Sequence, residues 1–186
     1  STSEAGERRE MSDNVTVYGS FHFAESCTFD PERNLIIAMN AGERSDVASS
    51  DGFASLINPD GSVHTAKWIG ATRDGLDLIS PIGSAIRDGV LYTVDSGFVR
   101  SFDLKTGQPL NSIEVSGAGF LNGIAVDGKG TAYVSDTRPG EVVWKVTADG
   151  EVSVFAEGEP LKLPNGVAMD NDGNIVVVNM GSTDVI

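Results

Sequence analysis

The sequence predicts an all-β fold built from repeated four-stranded antiparallel units, and three observations support this prediction. Residues 121–136 recur as residues 164–179 without a gap, a shift of 43 positions, with Asn, Gly, Ala, Asp and Gly at matching places. Short apolar runs rich in β-branched residues alternate with Asp-Gly and related turn dipeptides along most of the chain. No stretch has convincing helical periodicity. A repeat of this length is the signature of a repeat architecture.

The repeats divide residues 15–186 into three complete units and one incomplete unit. The units cover about residues 15–70, 76–116, 120–157 and 163–186, and the last contains only two predicted strands. In the third unit, strands are predicted at residues 123–126, 131–135, 142–146 and 152–155. Residues 1–14 are polar and charged, so they are predicted to form a flexible N-terminal arm.

Units of this kind, with a period of 40–43 residues, are typical of the blades of a β-propeller. About three and a half blades do not close a ring, and an open arc leaves sheet faces and edges exposed. The chain is therefore expected to be a fragment of a longer propeller, completed by a missing C-terminal segment or by a second chain. A self-sufficient open arc is the least favoured alternative.

The composition limits the partners of the protein. The chain has 186 residues and a net charge of −14, which disfavours binding to the phosphate backbone of nucleic acid. No apolar run reaches membrane-spanning length and no signal peptide is visible, so no membrane partner is expected. Cys27 is the single cysteine, which excludes an intramolecular disulfide, and it is expected to be an inert buried thiol. The compartment stays open: cytoplasmic, periplasmic or secreted.

Four residues occupy one register position of the repeat, just before the predicted inner strand: Glu25, Ile82, Asn122 and Asn165. The inner strands of a propeller begin at one face of its channel, so residues at this position are expected to converge. Three of the four carry oxygen donors, which suit Ca²⁺ or another hard divalent cation better than tetrahedral zinc. The alternative is that the two Asn-Gly pairs are ordinary turn signals.

Several segments together resemble the senescence-marker-protein/gluconolactonase (regucalcin-like) family of six-bladed β-propellers. The resemblance covers about residues 23–179 and is carried by Ala24-Glu25, Pro81-Ile82-Gly83, Leu163-Pro164-Asn165-Gly166 and residues 120–127 and 133–136. It implies that Glu25, Asn122 and Asn165 hold a central cation, usually calcium. It also implies a general-base Asp from a following blade, which would lie beyond Ile186, so no catalytic residue is assigned.

The resemblance implies a calcium-dependent hydrolase of the lactonase type that acts on a small lactone or related ester. Two alternatives stay open: a non-catalytic propeller that binds a ligand or protein, and a lyase similar to strictosidine synthase. Other motifs favour structural roles. Asp170-Asn171-Asp172-Gly173 begins like a calcium loop of the EF-hand type but is typical of a strand turn, and Asp95 and Asp136 are expected to bind loop backbone.

Overall fold

Sixteen β-strands form the regular secondary structure of the computed structural model, which describes residues 8–12, 15–18, 21–43, 50–70, 77–139, 141–183 and 185–186. None of the described residues belongs to a helix, so no helix long and apolar enough to cross a membrane is found among them. The strands are β1 (Arg8–Ser12), β2 (Val15–Tyr18), β3 (Ala24–Asp30), β4 (Leu35–Asn40), β5 (Phe53–Ile57), β6 (Val63–Gly70), β7 (Pro81–Arg87), β8 (Val90–Asp95), β9 (Phe98–Asp103), β10 (Pro109–Glu114), β11 (Leu121–Val126), β12 (Ala132–Asp136), β13 (Val142–Val146), β14 (Val152–Glu157), β15 (Pro164–Met169) and β16 (Ile175–Asn179).

The strands pair in sequence order into separate sheets. Sheet I contains β3 to β6, sheet II β7 to β10 and sheet III β11 to β14, and each has four strands. Sheet IV contains β15 and β16, and Val177 exchanges two backbone hydrogen bonds with Ile186 beside β16. The ladders with a described register are antiparallel. The predicted fold class of four-stranded antiparallel blades is confirmed.

The chain divides into two units, residues 1–81 and 82–186. The first contains sheet I, whose interior is formed by buried apolar side chains of β4, β5 and β6. Ile37, Met39 and Ile69 are fully buried there. Burial of such side chains stabilises a fold by about 1.5–3 kcal/mol each, so three of them supply a substantial core for one sheet.

In the second unit, successive sheets pack against each other through shared apolar clusters. One cluster joins Val94 and Val99 of sheet II to Leu121, Ile124 and Val134 of sheet III. A smaller cluster contains Val143 of sheet III, Val177 of sheet IV and Leu161, which precedes β15. The contacts place the inner strand β11 against both β8 and β15. This packing fixes the start of each inner strand relative to the next.

Residues 8–12 form a strand within the segment 1–14, for which a flexible arm was predicted from its polar and charged composition. They pair in antiparallel fashion with β2 (Val15–Tyr18), in which three of the four residues are β-branched. Backbone hydrogen bonds supply this pairing, so a charged segment can join a strand that its side chains alone do not predict.

Cys27 was expected to be buried and is exposed, which corrects that expectation. It lies on β3, the edge strand of sheet I, where most positions are exposed or half-buried. The edge strand β11 is buried at most positions because it contacts strands of other sheets. An apolar strand pattern predicts a strand, but neighbouring sheets decide whether that strand is covered.

Candidate metal site

The three predicted ligands share one position in the local structure of their strands. Glu25, Asn122 and Asn165 each directly follow the first ladder pair of an inner strand, where the register shifts by one residue. Each shift is a β-bulge, a device that re-aims side chains and is frequent beside active sites. The preceding ladder pairs are Ala24–Asn40, Leu121–Asp136 and Pro164–Asn179.

One residue beyond each of these ladder pairs, a matching backbone hydrogen bond continues the pairing of the two chain segments. Its N–H···O distance is 2.9 Å in all three sheets, with the carbonyl provided by Phe23, Phe120 or Leu163. The sequence placed the candidate ligands just before the inner strands. In the structure β11 begins at Leu121 and β15 at Pro164, so the asparagines lie inside these strands. The bulge explains the difference, since it interrupts the alternation that marks a strand in sequence.

Asn122 and Asn165 belong to neighbouring strands of the second unit, and glycines bring these strands close together. A Cβ atom on Gly83 would stand 2.2 Å from the backbone oxygen of Asn122. A Cβ atom on Gly123 would stand 2.3 Å from the backbone oxygen of Asn165. The glycines of the repeat therefore allow each inner strand to approach the asparagine segment of the next strand. Turn chemistry alone does not account for these Asn-Gly pairs.

Both asparagine side chains are half-buried at the bulges. The Asn165 Nδ2 lies 3.3 Å from the Met180 Sδ, a contact of an amide donor with a weak acceptor. Glu25 occupies the equivalent bulge in the first unit and is exposed. Ile82, the fourth residue of the register, is buried in the core cluster of the second unit and offers no donor.

The donor chemistry of the three residues fits a hard cation. One carboxylate and two amide oxygens are ligands that calcium accepts, with the remaining positions filled by water or substrate. Among the described residues no group of three or more His, Cys, Asp or Glu side chains is arranged to hold a metal. A site rich in His and Cys, as zinc prefers, is therefore not found in this part of the chain.

Three polar residues at the end of β12 and directly after it, Ser135, Asp136 and Thr137, hold the segments around both asparagines. The sequence alone assigned no role to Ser135 or Thr137. Ser135 and Thr137 donate hydrogen bonds to backbone oxygens of the segment 164–165. Asp136 accepts from the backbone N–H groups of Gly119 and Phe120, at 2.9 and 2.7 Å, and from Trp144 Nε1 at 3.2 Å. The expectation that Asp136 binds loop backbone is confirmed. The run of polar residues at this buried strand end is the sequence signal that could have identified Ser135 and Thr137.

The residue that ends the second strand is polar in each of sheets I to IV: Asn40, Asp95, Asp136 and Asn179. Asn40 accepts from the backbone N–H of His22 at 2.9 Å and donates to Ser55 Oγ. Asp95 lies 2.7 Å from Arg100 Nε. Asn179 differs, because its buried amide nitrogen and oxygen have no hydrogen-bond partner among the described residues.

The loop that begins like a calcium-binding loop is a turn between β15 and β16. Asp170 accepts hydrogen bonds from the backbone N–H groups of Asp172 and Asn174 and from Asn174 Nδ2, all within 2.8–2.9 Å. The side-chain bond from Asn174 is the main cause that lowers the pKa of the Asp170 carboxyl below 3.8. The carboxylate is thus occupied by its own turn, as the turn interpretation predicts.

A cavity of about 180 Å³ lies between sheets II and III, away from the asparagines. Its lining includes Tyr92, Ser101, Leu110 and Thr147. Gly130 and Ala132, which also line it, stand at the opposite end of the β11–β12 pair from Asn122. Burial, then the negative charges of Asp88 and Asp127, raise the pKa of the Tyr92 hydroxyl. None of the candidate ligands contributes to this cavity.

No protein-family model matches the chain, and no curated protein matches it in sequence. Solved structures do match. The virginiamycin B lyase from Staphylococcus aureus, in its selenomethionine form, has a TM-score of 0.68 and 11% identity over 93% of this chain and 56% of its own. A catalytically inactive variant of that lyase with quinupristin has a TM-score of 0.66 and 13% identity, over 93% and 56%.

A gluconolactonase from Xanthomonas campestris also matches, with a TM-score of 0.63 and 19% identity over 88% of this chain and 59% of its own. These neighbours are β-propeller proteins. The chain therefore has the fold of a partial β-propeller, and it spans little more than half the length of the structures it matches. At these identities the likeness concerns the fold alone.

Proposed function

We propose that the protein is a metal-dependent hydrolase of the lactonase type that opens a small lactone or related ester. The observation that carries the proposal is the shared bulge position of Asn122 and Asn165 on neighbouring inner strands, with Glu25 at the same position of sheet I. The fold likeness to a gluconolactonase supports the same class of reaction.

The three residues have distinct roles in this proposal. Glu25 supplies the only formal negative charge, so it contributes most of the electrostatic attraction to a divalent cation. Asn122 and Asn165 supply neutral oxygens, which leave the site a net positive charge when calcium is bound. The bound cation would polarise the substrate carbonyl and stabilise the negative charge that develops when water adds.

The overall charge of the chain is consistent with the binding of a cation and a neutral substrate. A net charge of −14 attracts cations and lowers the affinity for anionic competitors such as phosphate. A small lactone is uncharged, so this field does not hinder its approach. The proposed substrate is accordingly a neutral cyclic ester.

The test is calcium-dependent ring opening in the intact protein. A panel of sugar and aliphatic lactones is followed by acid release, with calcium, after chelation and after calcium is restored. We expect hydrolysis that chelation abolishes and calcium restores. Hydrolysis that continues unchanged after complete removal of divalent cations contradicts the proposal.

A lyase on the same scaffold is the second candidate, because the two lyase structures have TM-scores of 0.68 and 0.66, against 0.63 for the gluconolactonase. Mass spectrometry separates the two reactions. A hydrolase product is one water molecule heavier than the cyclic substrate, whereas elimination opens a ring without a change in mass. Calcium binding without any turnover favours the binding-module alternative.

A further inference from the structure

We propose that Ser135 is a positioning residue that couples the two candidate ligands Asn122 and Asn165 through a single hydroxyl group. The inference deepens the proposed metal site and, for its effect on metal affinity, rests on it. Ser135 is fully buried at the end of β12, opposite the bulge of β11.

The Ser135 hydroxyl bonds to both inner strands at once. Its Oγ accepts a hydrogen bond of 2.8 Å from the backbone N–H of Gly123. Gly123 directly follows Asn122. The same hydroxyl donates to the backbone oxygen of Asn165. One buried group therefore joins the two bulges, and it needs both the donor and the acceptor capacity of a hydroxyl.

Neighbouring residues complete the support without replacing Ser135. Thr137 Oγ1 donates to the backbone oxygen of Pro164 at 2.7 Å, directly before Asn165. Asp136 holds the segment that leads into β11 from its other side. These bonds fix the flanks of the bulges, whereas Ser135 alone bonds to both of them among the described residues.

Removal of the hydroxyl has a defined consequence. An alanine leaves the Gly123 N–H and the Asn165 oxygen unpaired in a buried place, so the two strands are free to adjust their spacing. Groups that orient metal ligands typically change metal affinity by about 10- to 100-fold when they are removed. We expect a loss of about 10-fold in calcium affinity for Ser135→Ala.

Sheet II offers a matched control at Thr93. This side chain is also fully buried, and its Oγ1 donates to the backbone oxygen of Gly83 at 2.8 Å. Gly83 follows Ile82, which occupies the ligand register but has no donor. Thr93→Val thus removes a comparable hydrogen bond to an inner strand that holds no candidate ligand.

The experiment measures calcium affinity by calorimetry and thermal stability for wild type, Ser135→Ala, Ser135→Thr and Thr93→Val. We expect both hydroxyl losses to lower the melting temperature, but only Ser135→Ala to weaken calcium binding, and Ser135→Thr to restore much of it. Equal calcium affinity in wild type and Ser135→Ala overturns the inference.

A second readout separates this inference from the proposed function. The side-chain amide resonances of Asn122 and Asn165 are recorded by NMR without metal. We expect both to shift in Ser135→Ala. Thr93→Val loses a bond to Gly83, which lies beside Asn122, so we expect it to leave the Asn165 resonance in place. If wild type binds no calcium but both resonances shift, the coupling stands and the metal proposal fails. If neither shifts, the coupling is wrong.

Discussion

Gly123 lies so close to Asn165 that a Cβ atom on the glycine would stand 2.3 Å from the asparagine oxygen and 2.8 Å from the Val167 nitrogen. Both are backbone atoms, which cannot rotate away as a side chain can. We therefore expect Gly123→Ala to cost about 3 kcal/mol in stability, the upper end for overpacking. Urea denaturation measures this cost.

The matched change is Gly128→Ala in the following turn, where an added Cβ meets nothing within 4 Å. Gly128 is not among the glycines with positive φ. We expect Gly128→Ala to change the free energy of unfolding by less than about 1 kcal/mol. Equal destabilisation by the two changes would falsify the close approach of β11 and β15.

The candidate ligands should differ in their contributions to metal binding. Glu25→Gln should weaken calcium binding most, because it removes the only formal charge among the three ligands. Asn122→Ala and Asn165→Ala should each lower the affinity by a smaller factor and reduce lactone turnover. Calorimetric titration of the intact protein with calcium checks this order.

Ile82→Val is the control variant, because Ile82 occupies the register position of the candidate ligands but carries no oxygen donor. Ile82 is buried, so a small apolar replacement preserves its core contacts and costs about 0.5–1.5 kcal/mol. It offers no oxygen, and we expect its calcium affinity to match that of wild type. A Glu25→Gln variant that binds calcium as tightly as wild type removes Glu25 from the site.

Asn179 is expected to contribute unfavourably to stability. Both polar atoms of its amide are buried without a partner among the described residues, and such atoms cost about 1–3 kcal/mol. Replacement by an apolar side chain of similar size removes that cost. We expect Asn179→Leu to raise the free energy of unfolding by about 1 kcal/mol, as measured by chemical denaturation.

The comparison is Asn40→Leu at the same strand-end position of sheet I. Asn40 is fully buried and bonded to His22, Ala38 and Ser55. Its loss leaves the His22 N–H unpaired, so we expect at least about 2 kcal/mol of destabilisation. If both leucine variants destabilise the protein alike, Asn179 has a bonding partner that the structure does not show.

The turn at Asp170 should make stability depend on pH at the acidic end of the range. Because the folded-state pKa lies below 3.8, the charged form favours folding. This contribution is fully present above the unfolded-state value and is lost as the pH falls through the folded-state pKa. We expect Asp170→Asn to lower the melting temperature near about pH 6 but to match wild type near about pH 2. A difference that is constant across this range contradicts the assignment.

The sequence carried enough information to predict the sheets, because strand alternation and turn residues are local and repeat every 43 residues in sheets III and IV. It also predicted that Asn122 and Asn165 are equivalent positions. It did not predict β1, because pairing with β2 is what makes a charged segment a strand. It wrongly predicted burial of Cys27, because contacts between sheets decide burial at an edge strand.

The sequence did not predict the hydrogen bonds that hold the strands of the candidate site together. The polar strand end marks Ser135 as a residue of interest, but the sequence does not indicate that its hydroxyl reaches Asn165, which is 30 positions away. Distances between strands of different sheets are set by packing of apolar clusters, which a linear pattern does not encode. The shared register indicated which residues to compare but not how they are held.

The hydrogen bonds of Ser135 and Thr137 have a consequence for recombination between related genes. Ser135 and Thr137, which support Asn165, lie at the end of β12 and directly after it, whereas Asn165 belongs to the first strand of the next sheet. A crossover in the loop between β14 and β15 would join Asn165 to a foreign support, even though every sheet stayed intact. Crossovers after β15 would keep support and ligand together. The inherited module thus spans the junction between sheets III and IV, and chimeras with a crossover after β15 should retain the proposed cation site more often than those with a crossover at that junction.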